Sequence, residues 1–172
     1  RAQDVKAVVS QLSDLEDEAA EFHKTVFRPW GSFSILEDAE DCKVKRLVVK
    51  PGQVLIAPGG KNLEFFSQDD KIIATVSDPQ DHQRYLPSVD KLFASSAALF
   101  GDRVLGVVLT GMGNDGAMGT REIKTAGGSV FAEAEESCVV FGMPKEAIAT
   151  GLVERIVPLP QVCKEILQFC GY

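Results

Sequence analysis

The sequence predicts an α/β fold: a partial doubly wound, mostly parallel β-sheet with an added N-terminal helix and β-hairpin. From Arg103 onward, strand patterns alternate with helical patterns, an order typical of βαβ units. The segment 107–109 is apolar at every position, which favours a strand buried on both faces of a sheet. The pattern differs before Pro51, where the helix and the hairpin are predicted.

The first predicted element is an amphipathic helix near the N-terminus. Its apolar residues recur mostly at spacings of three and four: Val5, Val8, Val9, Leu12, Leu15, Ala19 and Phe22. Acidic residues between Asp14 and Glu21 lie on its exposed side. After the turn RPWG, the segments SFSIL and KVKRLVVK predict a β-hairpin at 32–49, joined by EDAEDC. We expect the helix and hairpin to cover the open edge of the sheet.

The following elements are predicted as short strands, a helix and then βαβ units. Strands are expected in VLIAPGG, NLEFFS and KIIATV, with turns at APGGK and SQDDK. The segment PSVDKLFASSAALFG predicts a helix with Pro87 at its start. After the strand and helix that flank the glycine-rich turn come SVFAE (strand), PKEAIATG (helix), RIVPL (strand) and VCKEILQF (helix).

Composition narrows the classes of partner. The chain has 172 residues, a formal net charge of −7 and an estimated pI of 4.9, which argue against nucleic acid or an anionic membrane as a main partner. Its apolar runs are shorter than the roughly 18 residues of a membrane span, so no membrane insertion is predicted. The first residues lack a signal peptide's apolar core and a starting Met, which suggests processing, trimming or a fragment.

Cysteine and histidine usage predicts no metal and no cofactor. The cysteines are Cys42, Cys138, Cys163 and Cys170, and the histidines are His23 and His82. The cysteines form no CxxC pair and no zinc spacing, so reduced structural thiols in a cytoplasmic protein are expected.

Asp115 is the main candidate for a functional residue. It lies in VVLTGMGNDGAMG, where a predicted strand passes into a helix at the carboxyl end of the strand, the edge where ligands bind in open α/β sheets. One interpretation is an N-cap of the following helix. The other is a catalytic carboxylate that orients a histidine, which in turn activates a serine.

From about Pro51 onward the chain resembles the catalytic domain of CheB, the chemotaxis receptor methylesterase. The resemblance is carried by PGQVLIAPGGKN, YLPSVDKLFASSA, VVLTGMGNDGAMG and EAEESCVVFGMPKEAI. It implies a doubly wound α/β serine hydrolase that acts on glutamyl methyl esters and glutamines in the cytoplasmic region of chemoreceptors. By this resemblance Asp115 is the triad aspartate, and the active-site loop contains Gly111, Met112, Gly113 and Asn114.

The serine and histidine motifs of that family, GASTGG and HMP, do not occur in the sequence. Ser10 and Ser13 lie inside the predicted first helix, without a glycine turn that would present a nucleophile. Neither His23 nor His82 matches the histidine motif. The resemblance therefore leaves Asp115 without its partners and predicts a chain that is not a competent esterase.

Residues from about 4 to 53 resemble a second family, the start of the cupin domain of bifunctional mannose-1-phosphate guanylyltransferase/phosphomannose isomerase. RPWG, KVKRL and VKPG carry this resemblance, and the metal-binding histidines of that family are missing. The simplest interpretation is a chimera, with a cupin-derived segment at 1–50 and a methylesterase-like α/β segment at 51–172.

Three functions stay open on the sequence. They are an inactive methylesterase-like fragment, an active serine hydrolase with a divergent N-terminal half, and a sugar-phosphate binder derived from the cupin side. An uncovered edge of the parallel sheet would favour a homodimer or a strand-exchanged dimer.

Overall fold

A four-stranded parallel sheet is the largest sheet in the part of the chain that the structure describes. The computed structural model describes residues 7–11, 32–35, 45–50, 53–57 and 59–171. The strands are β1 (Ala7–Gln11), β2 (Ser32–Ile35), β3 (Lys45–Val48), β4 (Gln53–Ile56), β5 (Asn62–Gln68), β6 (Lys71–Ser77), β7 (Val104–Val108), β8 (Ser129–Glu133) and β9 (Arg155–Val157). The helices are α1 (Val89–Phe100), α2 (Ala117–Thr125), α3 (Met143–Ala149) and α4 (Leu159–Phe169).

The parallel sheet has the strand order β1-β7-β8-β9. Strand β7 is buried along its whole length, and its side chains alternate between two cores. Val104 and Val108 belong to the core shared with α1, α2 and α3. Leu105 and Val107 belong to the core shared with α4. This arrangement confirms the predicted α/β fold with helices on both faces of a parallel sheet.

A second layer of strands packs beside α1. Strands β3, β6 and β5 form an antiparallel sheet in that order. Strands β5 and β6 are joined by a two-residue turn in which Asp69 and Asp70 both have positive φ, of 50° and 59°. Two positive φ values in a two-residue turn are typical of a type I′ hairpin, whose twist matches that of the strands.

The predicted N-terminal helix is wrong at residues 7–11, which form β1. This strand pairs in parallel with β7 from Ala7↔Val104 to Gln11↔Val108. The segment AVVSQ contains two β-branched valines, and pairing along the edge of β7 outweighs the helical spacing of its apolar residues. The remainder of the predicted helix lies outside the described residues.

The predicted hairpin at 32–49 is also wrong, although both of its strands exist. Strand β2 pairs in parallel with β4, and β3 pairs antiparallel with β6. The sequence pattern identifies strands but does not specify which strands pair, because that depends on the edges that the fold leaves open. The predicted strands β4 to β6 and the elements from α1 to α4 are confirmed, including helix α1 directly after Pro87 and Ser88.

The close contact between α1 and α2 depends on Gly119. An added Cβ at Gly119 would lie 2.5 Å from the Cβ atom of Phe93, which cannot rotate away. We expect Gly119→Ala to lower the free energy of unfolding by up to about 2 kcal/mol, because overpacking costs about 1–3 kcal/mol and a helix-propensity gain of about 1 kcal/mol offsets part of it. Urea denaturation checks this value. The matched control is Gly59→Ala, since nothing lies within 4 Å of a Cβ there. Equal stability of the two variants would contradict this packing.

Candidate functional site

Asp115 lies at the carboxyl edge of the parallel sheet, between the end of β7 and the start of α2. Its side chain is only 3% exposed. The backbone N–H of Val89 donates to Oδ2 at 2.7 Å, and that of Asp90 donates to Oδ1 at 2.9 Å. The hydroxyl of Ser88 also donates to Oδ1, at 3.2 Å. The carboxylate is therefore fixed at the N-terminus of α1, where backbone N–H groups favour a negative charge.

The interpretation of Asp115 as the cap of its own helix is wrong. Gly116 is the N-cap residue of α2, with a φ of 94°, and it has no side chain to accept a hydrogen bond. The side chain of Asp90 serves instead, because its Oδ1 accepts from the N–H groups of Gly116 at 2.9 Å and Gly119 at 2.7 Å. Asp115, which precedes α2, thus accepts from the start of α1, and Asp90, within α1, accepts from the start of α2.

Asp90 is half-buried, and its electrostatic environment differs from that of an exposed aspartate. Burial raises the pKa of Asp90 most, and the nearby charge of Asp115 raises it further. Hydrogen bonds from the backbone of Gly119, Gly116 and Met118 act in the opposite direction and lower it in part. The net direction is upward, so Asp90 holds a proton more readily in the folded protein than an ordinary aspartate does.

The loop between β7 and Asp115 is clamped by the segment that follows β8. The N–H of Gly111 donates to the carbonyl of Val140 at 3.1 Å, and the carbonyl of Gly111 accepts from Met143 N at 2.8 Å. Gly111 also pairs with Phe141 in a parallel bridge. Met112 is 81% exposed in spite of these constraints on its neighbour. The loop therefore presents an apolar side chain to solvent from a fixed backbone.

Tyr85 covers the next residues of this loop. Its hydroxyl donates to Oδ1 of Asn114 at 3.0 Å and accepts from Asn114 N at 3.3 Å. Gly113 has a φ of 95°, and an added Cβ there would lie 2.3 Å from the Tyr85 hydroxyl oxygen. Glycine is needed at this position both for its backbone conformation and for the approach of the ring. Sequence reasoning did not single out Tyr85.

Two buried polar side chains support the site from behind. Asn62 is fully buried, and its Oδ1 accepts from Gln83 Nε2 at 2.7 Å and from Ser88 N at 3.2 Å. Glu133 is also fully buried, and it accepts from Thr110 N at 2.8 Å and from the hydroxyl of Ser137 at 2.9 Å. Asn62 holds the segment that leads into α1, and Glu133 holds Thr110, which lies just after the end of β7. Both were missed from the sequence.

Glu133 also influences the thiol of Cys138. Burial, followed by the charge of Glu133 and a hydrogen bond to it, raises the pKa of Cys138 to about 12. A thiol in this state is almost wholly protonated at neutral pH, and the thiolate is the nucleophilic form. The raised pKa therefore disfavours the nucleophilic form of Cys138.

Of the two histidines, only His82 is among the described residues, and the structure does not bring it to Asp115. His82 is exposed and has a positive φ of 65°, and it donates no hydrogen bond to Asp115. His23 and Ser13 lie outside the described residues, and only the backbone of Ser10 is described, in β1. Within the described ranges, no group of three or more His, Cys, Asp or Glu side chains is arranged to hold a metal ion.

The geometry of Asp115 suits a carboxylate that orients another group. An ionised carboxylate offers about four acceptor positions, and the three donors described above leave one on Oδ2. An imidazole N–H is the donor that a serine hydrolase places at this position.

A shallow cavity of about 340 Å³ lies elsewhere, at β9 and the start of α4, and it is lined by Arg155, Ile156, Val157, Pro158, Gln161 and Glu165. It lies two strands away from β7, so we do not assign it to this site.

Comparison with known proteins links most of the chain to one family. A model of the CheB methylesterase family matches residues 30–166. Protein-glutamate methylesterase/protein-glutamine glutaminase 3 of Geobacter sulfurreducens is 56% identical over 123 residues, covering 72% of this chain and 33% of that protein. The corresponding enzyme 1 of Myxococcus xanthus is 47% identical over 132 residues, covering 77% and 37%. The chain thus spans about a third of the length of the curated relatives it matches.

A solved structure shares the fold. The crystal structure of the Thermotoga maritima CheB methylesterase catalytic domain superposes with a TM-score of 0.67 at 35% sequence identity. The match covers 71% of this chain and 65% of that chain.

Among the described residues, no helix is both long and apolar enough to cross a membrane.

The raised pKa of Asp90 predicts a pH-dependent contribution to stability. A carboxyl whose pKa is higher in the folded than in the unfolded state stabilises the fold at low pH, and this contribution is lost as the pH rises through the folded pKa. Between pH 4 and pH 7, the wild-type protein should therefore lose stability relative to Asp90→Asn. Urea denaturation of both proteins across this range measures the difference. A difference that does not change with pH would contradict the assigned direction.

Cys138 should react slowly with alkylating agents. With a pKa of about 12, roughly one thiol in ten thousand is ionised at pH 8. We expect iodoacetamide to modify Cys138 about a thousandfold more slowly than an unperturbed cysteine, as followed by mass spectrometry of its peptide. Glu133→Gln removes the neighbouring charge and should accelerate the reaction. Rapid alkylation in the wild type would show that the thiol is not protected in this way.

Proposed function

Because the chain belongs to the CheB methylesterase family, we propose that it carries the aspartate and the loop of a glutamyl-ester hydrolase site but does not turn over esters on its own. Asp115 supplies the carboxylate, and Gly111, Met112, Gly113 and Asn114 supply the loop. A triad aspartate orients the histidine and stabilises its charged form, and it performs no acyl transfer itself. Without the serine and histidine motifs, the site stays incomplete.

The observation that carries this proposal is the set of hydrogen bonds at Asp115. Two backbone N–H groups and the Ser88 hydroxyl hold the carboxylate in one orientation inside the protein. A buried carboxylate with fixed orientation and one open acceptor position is suited to holding an imidazole. The family match and this geometry together support the assignment of Asp115 to a hydrolase site.

The substrate class follows from the family. The relatives are named protein-glutamate methylesterase/protein-glutamine glutaminase, so we propose glutamyl methyl esters and glutamine side chains of proteins as the chemistry for which this site is built. From the family resemblance of the sequence we also propose the cytoplasmic region of a chemoreceptor as the partner and the cytoplasm as the location. The chain spans about a third of the length of those relatives. A serine hydrolase also needs a nucleophile and a base, and the motifs that carry them in this family do not occur in the sequence.

We keep the two-part origin of the chain as a proposal, with a cupin-derived segment at 1–50 and a methylesterase-like segment at 51–172. Its support is the motif resemblance before Pro51. The family match nevertheless begins at residue 30. In addition, β2 pairs with β4 and β3 pairs with β6, so these strands join the later part of the fold. These pairings support the expectation that the segment before Pro51 packs onto the later part of the chain instead of folding separately.

A homodimer or a strand-exchanged dimer also stays a prediction. Within the described residues, β1 and β9 are the outer strands of the parallel sheet. Outer strands carry backbone groups that can pair with another chain.

The second candidate function is an active serine hydrolase with a divergent N-terminal half. The observation that favours it is the position of β1, which lies parallel to β7 and ends at the same edge of the sheet as Asp115. In doubly wound folds, side chains from the ends of neighbouring strands meet at this edge. Residues that follow β1 are therefore the first to test for a nucleophile.

Ester turnover separates the two candidates. We expect the purified chain to hydrolyse neither a methylated chemoreceptor fragment nor p-nitrophenyl acetate above the rate in buffer, because Asp115 alone cannot perform acyl transfer. Methanol release and nitrophenol absorbance are the measurements. The control is Asp115→Ala, checked for folding by circular dichroism. Turnover that disappears in this folded variant would overturn the proposal and establish the second candidate.

A further inference from the structure

The side chain of Asp90 caps the N-terminus of α2, although Asp115 is the aspartate that lies next to this helix in the sequence. The first N–H groups of a helix need an acceptor, and a side-chain oxygen at the start of the helix commonly provides it. Asp115 directly precedes Gly116, the N-cap of α2, and Gly116 has no side chain. In the structure, however, the N–H groups of Gly116 and Gly119 both donate to Asp90.

Asp115 is consequently free to accept from the other helix. Its Oδ2 accepts from Val89 N and its Oδ1 from Asp90 N, both in the first turn of α1. The backbone of Asp90 thus donates to Asp115, while its side chain accepts from the helix that follows Asp115. Each carboxylate thus accepts from the helix that the other aspartate adjoins. In this exchange of carboxylates, Asp90 takes part both through its backbone N–H and through its side chain.

We propose that Asp90 is a positioning residue for Asp115: it occupies the N-terminal donors of α2, prevents Asp115 from capping its own helix and thereby keeps Asp115 directed towards α1. The relevance of this arrangement to catalysis rests on the proposed function, in which Asp115 belongs to a hydrolase site. The arrangement itself does not depend on turnover.

The exchange has an electrostatic disadvantage, which argues that it serves the position of Asp115. Two carboxylates are brought together in a partly buried region, where like charges repel one another. If Asp115 capped α2 alone, one carboxylate would satisfy these donors without Asp90. The charge of Asp115 would then lie at the start of its own helix, and its contacts with Ser88 and Val89 would be lost.

Removal of the Asp90 side chain tests this competition directly. In Asp90→Ala we expect Asp115 to rotate and accept from Gly119, which the amide signals of two residues report. Amide hydrogen exchange by NMR should show that Val89 loses protection about tenfold, the effect of one charge-assisted hydrogen bond, while Gly119 keeps its protection. Asp90→Asn retains an acceptor oxygen and should restore the wild-type pattern at both amides.

Two results in the folded Asp90→Ala protein would overturn the proposal. Protection of Val89 that is unchanged would show that Asp115 keeps its orientation without Asp90. Loss of protection at both Val89 and Gly119 would show that Asp90 is an ordinary structural cap. The double variant Asp90→Ala/Asp115→Ala supplies the control, because Gly119 must then lose the protection that Asp115 provided.

A second variant keeps the test available if Asp90→Ala does not fold. Asp90→Ser is polar and is tolerated in the first turn of a helix, but its side chain is too short to reproduce the carboxylate's contacts with α2. The same two amides are measured with the same expected and contradicting results. None of these measurements uses an ester, so failure of the turnover prediction and failure of this proposal are distinguishable.

Discussion

Four backbone N–H groups at the starts of α1 and α2 would lose their acceptors without Asp90 and Asp115. Because both helices begin at the same edge of the parallel sheet, a single exchange of carboxylates satisfies all four groups. Buried donors without partners cost about 1–3 kcal/mol each, so this exchange fixes the relative position of the two helices strongly. Because Gly119 has no side chain, it can pack directly against Phe93, and the two helices can approach as closely as the exchange requires.

The glycine loop takes its shape from its neighbours on both sides. Segment 140–143 holds Gly111 through backbone hydrogen bonds, and Tyr85 holds Asn114 through its hydroxyl. Glu133 reaches the same region by accepting from Thr110 N. The loop is therefore held at its start, through Thr110 and Gly111, and at its end, through Asn114. Asp115 follows directly, so the constraints that define the loop also define where the carboxylate lies.

Much of the fold could be predicted from the sequence, because residues 103–171 combine a clear helical or strand period with glycine and proline boundaries. At residues 7–11 the same method was wrong. The valines at 8 and 9 fit both a helical stripe and a strand, and only the open edge of β7 decides between them. The hairpin prediction at 32–49 was wrong for a similar reason, since strand pairing is a property of the whole sheet.

The site shows the same limit at the level of single residues. Asp115 is prominent in the sequence because of its glycine neighbours, yet the helix that it caps lies 26 residues earlier in the chain, as measured to Val89. Local capping rules could not identify that helix, because the choice between two acceptors is made by tertiary contacts with Asp90. Asn62 and Glu133 carry no local signal at all, since their importance comes from burial. An aspartate at the carboxyl edge of a parallel strand is thus informative about where chemistry can occur, while its orientation follows from residues that only the fold brings near it.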